Sequence, residues 1–189
     1  MKVAMMIAVA LLAFAPAGDL KIGEPVPDVT LGKDSLAALT KEGKVVAVYF
    51  WSQDCPYGPP LNHRLKAADE KFAGNEKVKI ILVSSFGEPE AKGIAWHKDS
   101  GLRSAFVFDE GKKIAKHFAT RQVNAAFVLD AKGTLVYRGG ISDDTIDGTS
   151  KAVTKIADHN HLIEAIQAAL EGKAPPASDR KFQGCGIRG

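Results

Sequence analysis

Cysteine is nearly missing from this chain, with two in 189 residues, Cys55 and Cys185. Two widely separated thiols cannot form a disulfide scaffold, so the fold has to rest on a packed core. Aromatic residues make up only 7%, leaving few stacking surfaces. An excess of one charge is also missing: 25 Lys and Arg face 22 Asp and Glu, for a net charge of +3. These charges are interspersed, which gives no basic footprint for nucleic acid. No Asn-x-Ser/Thr sequon occurs. Beyond the N-terminus, Lys, Asp or Glu interrupts every apolar run before it reaches the ~20 residues of a spanning helix.

The exception is residues 1–17, where Lys2 precedes an apolar stretch from Val3 to Ala15 that closes on Ala15-Pro16-Ala17. A positive n-region, an apolar h-region and a small-x-small site are the layout of a secretory signal peptide. The expectation is therefore an exported protein, periplasmic or secreted, with no membrane contact after cleavage. A retained N-terminal anchor is the alternative. The rest of the chain is long enough for one self-supporting domain. Its expected limits are residues 18–172, with a flexible, polar Pro/Gly tail at 173–189 that carries Cys185.

Along that domain, helical and extended patterns alternate. Ser35 to Lys41 reads as a short helix with Ser35 as N-cap. Val45 to Trp51 (VVAVYFW) is unbroken and rich in β-branched and aromatic residues, the pattern of a strand buried on both faces. A helix is expected from about Leu61 to Phe72, with Leu61, Leu65, Ala68 and Phe72 on one face. Strands are expected at Val78 to Val83 and Ala105 to Phe108, with helices at Pro89 to Lys98 and Lys112 to Phe118. Ala125 to Leu129 and Leu135 to Tyr137 flank a turn containing Gly133, a hairpin signal, and Leu162 to Leu170 closes the domain as a helix. The order β-α-β-α-β-α-β-β-α indicates an α/β sandwich with a central mixed sheet flanked by helices. In such sheets the site lies beyond the carboxyl ends of the central strands, and Cys55 comes four residues after Trp51.

A loop between a buried strand and a helix start offers a thiolate unpaired N–H groups and the positive end of a helix dipole. Pro59 and Pro60 delay that helix to near Pro60, since each lacks an N–H and disfavours helix in the residue before it. Asp54 beside Cys55 works against a thiolate. A buried structural cysteine is the alternative to a reactive one.

The chain resembles the thioredoxin-like superfamily, in its redoxin branch of alkyl hydroperoxide reductase and thiol-specific antioxidant proteins. The likeness runs from about Ile22 to Lys173. It rests on IGEPVPDVTL (22–31), VVAVYFWSQDCP (45–56), FDEGKKIAKHFAT (108–120) and FVLDAKGTLVYRGGISDD (127–144). HLIEAIQAALEGKAP (161–175) and the tail GCGI (184–187) look like exported members of that group. The resemblance implies a thioredoxin-like sandwich and thiol-based redox chemistry, either peroxide reduction or thiol–disulfide exchange. It would need no metal or organic cofactor, only an external thiol reductant and a peroxide or protein disulfide as substrate. Cys55 would be the nucleophile and Cys185 a resolving thiol, with Ser52 and Asn124 in support. A static disulfide or a free thiol is the alternative for Cys185.

Three departures bear on activity. Gly58 stands where a dithiol protein has its second cysteine, and Asn124, within Gln122-Val123-Asn124-Ala125, stands where the fold usually has a cis-proline. A peroxiredoxin-type site would have a proline at Val48, Thr or Ser at Ser52, and an arginine that Arg121 does not match in register. A redoxin-fold binding module with a degenerate site is therefore the second reading. His159-x-His161 with Cys55 suggests a metal carrier only weakly; the histidines are expected to cap the last helix with Asp158 and Asn160. His63 is expected on a solvated helix face. Glu88/Glu90 and Asp143/Asp144 read as solvated carboxylate pairs. Gly184 to Gly189 fits GxGxxG by letters but has no strand before it or helix after it.

Overall fold

The computed structural model describes residues 20–188; the expected signal segment, 1–17, lies outside them. Two short strands, β1 (Thr30–Leu31) and β2 (Asp34–Ser35), pair antiparallel and lead into α1 (Leu36–Lys41). Ser35 caps that helix as expected, its Oγ accepting from Ala38 N at 3.1 Å. Strand β3 (Val45–Trp51) is followed by a 3-10 turn at Pro59–Leu61 and helix α2 (Asn62–Lys71). Then come β4 (Val78–Ser84), α3 (Glu90–Ser100), β5 (Ala105–Phe108) and α4 (Lys113–His117). The chain continues through β6 (Ala126–Leu129), β7 (Leu135–Gly139), β8 (Thr145–Asp147), β9 (Ala152–Lys155) and α5 (His161–Leu170). Among the described residues no helix is long and apolar enough to cross a membrane.

The main sheet has the order β5-β4-β3-β6-β7. Strand β3 runs parallel to β4 and antiparallel to β6, so the sheet is mixed and β3 is central. Every residue of β3 is buried, which explains its unbroken apolar run. Val45, Ala47, Tyr49 and Trp51 join a core with Leu65 of α2 and Leu162 and Ile166 of α5. Val46, Val48 and Phe50 join the opposite core with Leu36 and Leu39 of α1 and Ile114 of α4. The period-two alternation of one strand thus divides the interior into two apolar layers. This is the fold class expected from the sequence.

The β8–β9 hairpin is an addition the sequence pattern does not reveal. Only Ile146 of these strands is buried, so there is no apolar alternation to read. Asp144 holds it in place, contrary to the expectation of a solvated carboxylate. Its side chain is fully enclosed and accepts from Arg64 Nε at 2.9 Å and from Ala157 N at 2.7 Å. Burial by itself would raise its pKa; the Arg64 guanidinium, the Ala157 N–H and Ser142 overcome that and hold it at about 2. His63 is exposed, as expected of a solvated helix face, and its Nε2 also reaches the same carboxylate at 3.1 Å. A carboxyl group depressed by folding stabilises the native state fully above its unfolded value of 3.8, and that contribution is lost as pH falls toward about 2. Asp144→Asn leaves Arg64 enclosed without its partner and is expected to cost about 3 kcal/mol. The cost should be seen in urea unfolding at neutral pH and should shrink below pH 4.

Candidate active site

The carboxyl end of β3 delivers Trp51, whose indole stacks on Trp96 with ring centroids 3.6 Å apart and donates to Asn62 Oδ1 at 3.0 Å. That anchors the segment from Ser52 to Leu61 between two helices. Within it, Gly58 N donates to Cys55 O and Leu61 N to Gly58 O, each at 2.9 Å. The regular helix starts only at Asn62, after Pro59 and Pro60, as their chemistry requires. Cys55 therefore stands a full loop away from the helix terminus rather than against it, and it is completely buried.

Cys55 and Cys185 are joined as a disulfide, with Cα atoms 5.8 Å apart and 130 residues between them in sequence. The structure thus brings together the two cysteines that the sequence leaves far apart. The segment expected as a flexible tail is laid against the domain from Ser178 onward. Arg138 N donates to Ser178 O at 2.8 Å and Arg180 N to Arg138 O at 3.0 Å, extending the β7 edge. Past Phe182 the strap crosses to the segment before β6. There Val123 N donates to Cys185 O at 3.0 Å and Ile187 N to Arg121 O at 2.9 Å, in an antiparallel arrangement around Gln122 and Gly186. These contacts use backbone groups, to which a Pro/Gly-rich composition gives no sequence signal.

Asn124 connects the parts. Its N–H donates to Phe50 O at 2.6 Å, fixing it beside the end of β3. Its Nδ2 donates to Gln183 O at 3.1 Å and lies 4.0 Å from Cys55 Sγ. Its Oδ1 faces the Tyr49 hydroxyl at 3.5 Å, a phenol whose pKa burial pushes well up. Asn124 has a φ of +69°, and all described peptide bonds are trans. Asparagine tolerates this left-handed conformation better than most residues, so a backbone turn stands where the fold usually has a cis-proline.

Ser52 is buried beside the loop, and its hydroxyl proton goes to Glu88 Oε2 at 3.0 Å while its oxygen accepts from Asp54 N at 3.1 Å. These two bonds tie the start of the Cys55 loop to Glu88, and neither of them is to Cys55. Glu88, a surface residue by its sequence pattern, is in fact buried, and its Oε1 has no hydrogen-bond partner. It lies just beyond the carboxyl end of β4, the neighbour of β3, so the topological rule that singles out Cys55 applies equally to Glu88. Asp54 pairs with Lys92 of α3 at the surface. A cavity of about 330 Å³ is lined by Leu61, Asn124, Ser142, Asp143, Phe182 and Gln183, with neither cysteine in its wall.

The terminal histidines belong elsewhere. Asn160 alone caps α5, its Oδ1 accepting from Ile163 N at 3.2 Å. His161 is buried between Asp143, 2.9 Å from its Nε2, and Glu164, 3.4 Å from its Nδ1. His159 contacts the same Glu164. Among the described residues no three His, Cys, Asp or Glu side chains converge as a metal site.

Gly58 is fixed by space. A Cβ at this position would lie 2.2 Å from Ser52 O, so any side chain forces the loop backbone apart. Gly58→Cys, which restores a dithiol spacing, is expected to destabilise the fold by about 1–3 kcal/mol, as overpacking does. In denaturant titration of the oxidised protein, Gly58→Ala should show the same loss.

Residues 22–138 match the AhpC/TSA family model. No curated protein matches the chain. Among solved structures, the chain is similar to a hypothetical protein of Sinorhizobium meliloti 1021, at 21% identity and TM-score 0.75, covering 90% of this chain and 95% of that one. An uncharacterized conserved protein of Geobacillus kaustophilus gives 17% identity and TM-score 0.72, covering 90% and 93%. The thioredoxin domain of a thiol-disulfide oxidoreductase of Bacteroides vulgatus gives 20% identity and TM-score 0.54, covering 64% and 89%. At these identities the structural likeness establishes a shared thioredoxin-like fold. With the family model spanning more than half of its length, the chain belongs to the AhpC/TSA family.

Proposed function

We propose that this protein is a thiol–disulfide redox protein that cycles between a Cys55–Cys185 disulfide and the dithiol. The observation that carries the reading is the disulfide itself, formed between a cysteine at the carboxyl end of the central strand and one on a strap held mainly by backbone hydrogen bonds. Family membership supports a thiol redox role. In the reduced state the Cys55 thiolate attacks a substrate disulfide and forms a mixed disulfide, expelling the other substrate sulfur as a thiolate. Cys185 then attacks Cys55 Sγ, releasing the second substrate thiol and restoring the internal bond. Two electrons pass to the substrate, and an external dithiol resets the pair. Ser52 and Asn124 are positioning residues: Ser52 holds the loop, and Asn124 the strap and the Cys55 sulfur. Disulfide exchange is favoured over peroxide reduction because the Ser52 hydroxyl, the one match to a peroxide site, is bonded to Glu88.

The N-terminal segment and the disulfide together support export to an oxidising compartment. The redox reading is tested by mixing the reduced protein with a small disulfide or with hydrogen peroxide, followed by non-reducing peptide mapping. Regeneration of Cys55–Cys185 with release of two substrate thiols is expected in the disulfide arm. A Cys55 that stays reduced in both arms would leave the binding-module reading in its place, and reaction with peroxide alone would turn the reading to peroxide reduction.

A further inference from the structure

We propose that the strap from Gln183 to Ile187 occupies the subsite of an extended polypeptide substrate, and that this subsite selects glycine immediately before the reacting cysteine. The inference rests on the thiol–disulfide reading above and specifies its substrate.

The strap already has the form of a bound peptide. It runs antiparallel to Arg121–Val123, exchanges backbone hydrogen bonds with Val123 and Arg121, and presents a cysteine that is covalently attached to Cys55. The Asn124 amide adds a bond to the carbonyl of Gln183. Addition of an extended segment to a free backbone edge is a general mode of peptide recognition, in which main-chain bonds give affinity and side-chain space gives selectivity. The hydrogen bonds to the strap use its backbone groups only, so another polypeptide that carries a cysteine can make all of these contacts.

The side-chain space is uneven along the strap. At Gly184, a Cβ would lie 2.0 Å from Val123 O, a backbone atom flanked by the Val123 N–H bond to Cys185 O and the Asn124 N–H bond to Phe50 O. At Gly186, a Cβ would meet nothing within 4 Å. Ile187 packs against the core layer on the α1 and α4 side. The subsite therefore reads glycine before the cysteine, accepts any residue after it, and favours an apolar residue at the next position. The strap and a substrate cannot hold the Arg121–Val123 edge together. Return of the strap displaces the product as Cys185 closes on Cys55, which couples resolution to release.

The test uses the full chain with Cys185→Ser and pentapeptides whose cysteine is a mixed disulfide with 5-thio-2-nitrobenzoate. Attack of Cys55 on the peptide sulfur forms the protein–peptide disulfide and expels the coloured thiolate, so rate and mass are both read. The Gln-Gly-Cys-Gly-Ile peptide is expected to react at least about tenfold faster than Gln-Ala-Cys-Gly-Ile, because tenfold corresponds to only about 1.4 kcal/mol of transition-state discrimination. The mixed disulfide of 2-mercaptoethanol with the same chromophore serves as reference. Equal rates for the two peptides would overturn the selectivity, and reaction of the reference but neither peptide would overturn the subsite. Failure of all three would overturn the redox reading as well. In the wild-type background, Gly184→Ala should unseat the strap and speed opening of Cys55–Cys185 by a dithiol at least about tenfold; an unchanged rate would contradict the assigned clash.

Discussion

Reducing the Cys55–Cys185 bond is expected to lower the thermal midpoint by about 10 °C. The bond closes a loop spanning 130 residues. On the chain-entropy account, opening a loop of that size restores freedom to the unfolded chain equivalent to about 4–5 kcal/mol, and native disulfides measured by removal cost about 2–5 kcal/mol. For a domain of this size each kcal/mol moves the midpoint by about 2–4 °C. The strap adds only the partly buried Phe182 and Ile187 to one of the two apolar layers around β3, so the reduced domain stays folded and only its margin shrinks. Calorimetry with and without a dithiol reads the difference directly. Cys185→Ser should unfold at the midpoint of the reduced protein and be insensitive to reductant; a midpoint unchanged by reduction would mean that the strap's hydrogen bonds alone carry its stabilisation.

The two cysteine substitutions should separate the half-reactions. Cys55→Ser is expected to abolish disulfide exchange, by about a thousandfold or more, because a serine hydroxyl is not ionised at neutral pH and supplies no sulfur for the mixed disulfide that Cys185 resolves. Cys185→Ser retains the first attack and stalls, so the mixed disulfide accumulates and turnover falls while the initial burst survives. Burst and steady-state rates against a model disulfide, with the intermediate identified by mass, distinguish these outcomes. Equal loss of the burst in both variants would contradict the assignment of roles. In Cys55→Ser the remaining Cys185 stays on the strap without the buried surroundings that Cys55 has at the end of β3.

Much of the scaffold is legible in the sequence, for a physical reason. Strand β3 is buried on both faces, so VVAVYFW carries its own assignment, and the delayed start of α2 comes from Pro59 and Pro60. The place of Cys55 just past the carboxyl end of β3 is legible too, because the end of that strand is itself legible. The β8–β9 hairpin is not, because a hairpin with one buried residue leaves no periodic apolar trace. Nor are the buried carboxylates Glu88 and Asp144. Their neighbours Glu90 and Asp143 sit in the same local sequence but face solvent, and only the distant partners Ser52 and Arg64 distinguish the pairs. The course of the strap escapes composition for a similar reason. Backbone bonds to Arg121, Val123 and Arg138 hold it, and polar Pro/Gly-rich segments look alike whether docked or free.

Central to the account is the claim that Cys55 and Cys185 form one exchanging pair rather than a permanent staple. The most direct measurement equilibrates the folded chain across graded ratios of oxidised and reduced dithiol, then quenches, alkylates and maps both cysteines. The account predicts a single reversible two-electron transition in which Cys55 and Cys185 titrate together, at a potential within roughly −120 to −300 mV, where biological thiol couples operate. A bond that stays closed throughout that range, or two cysteines that are modified independently, would contradict it.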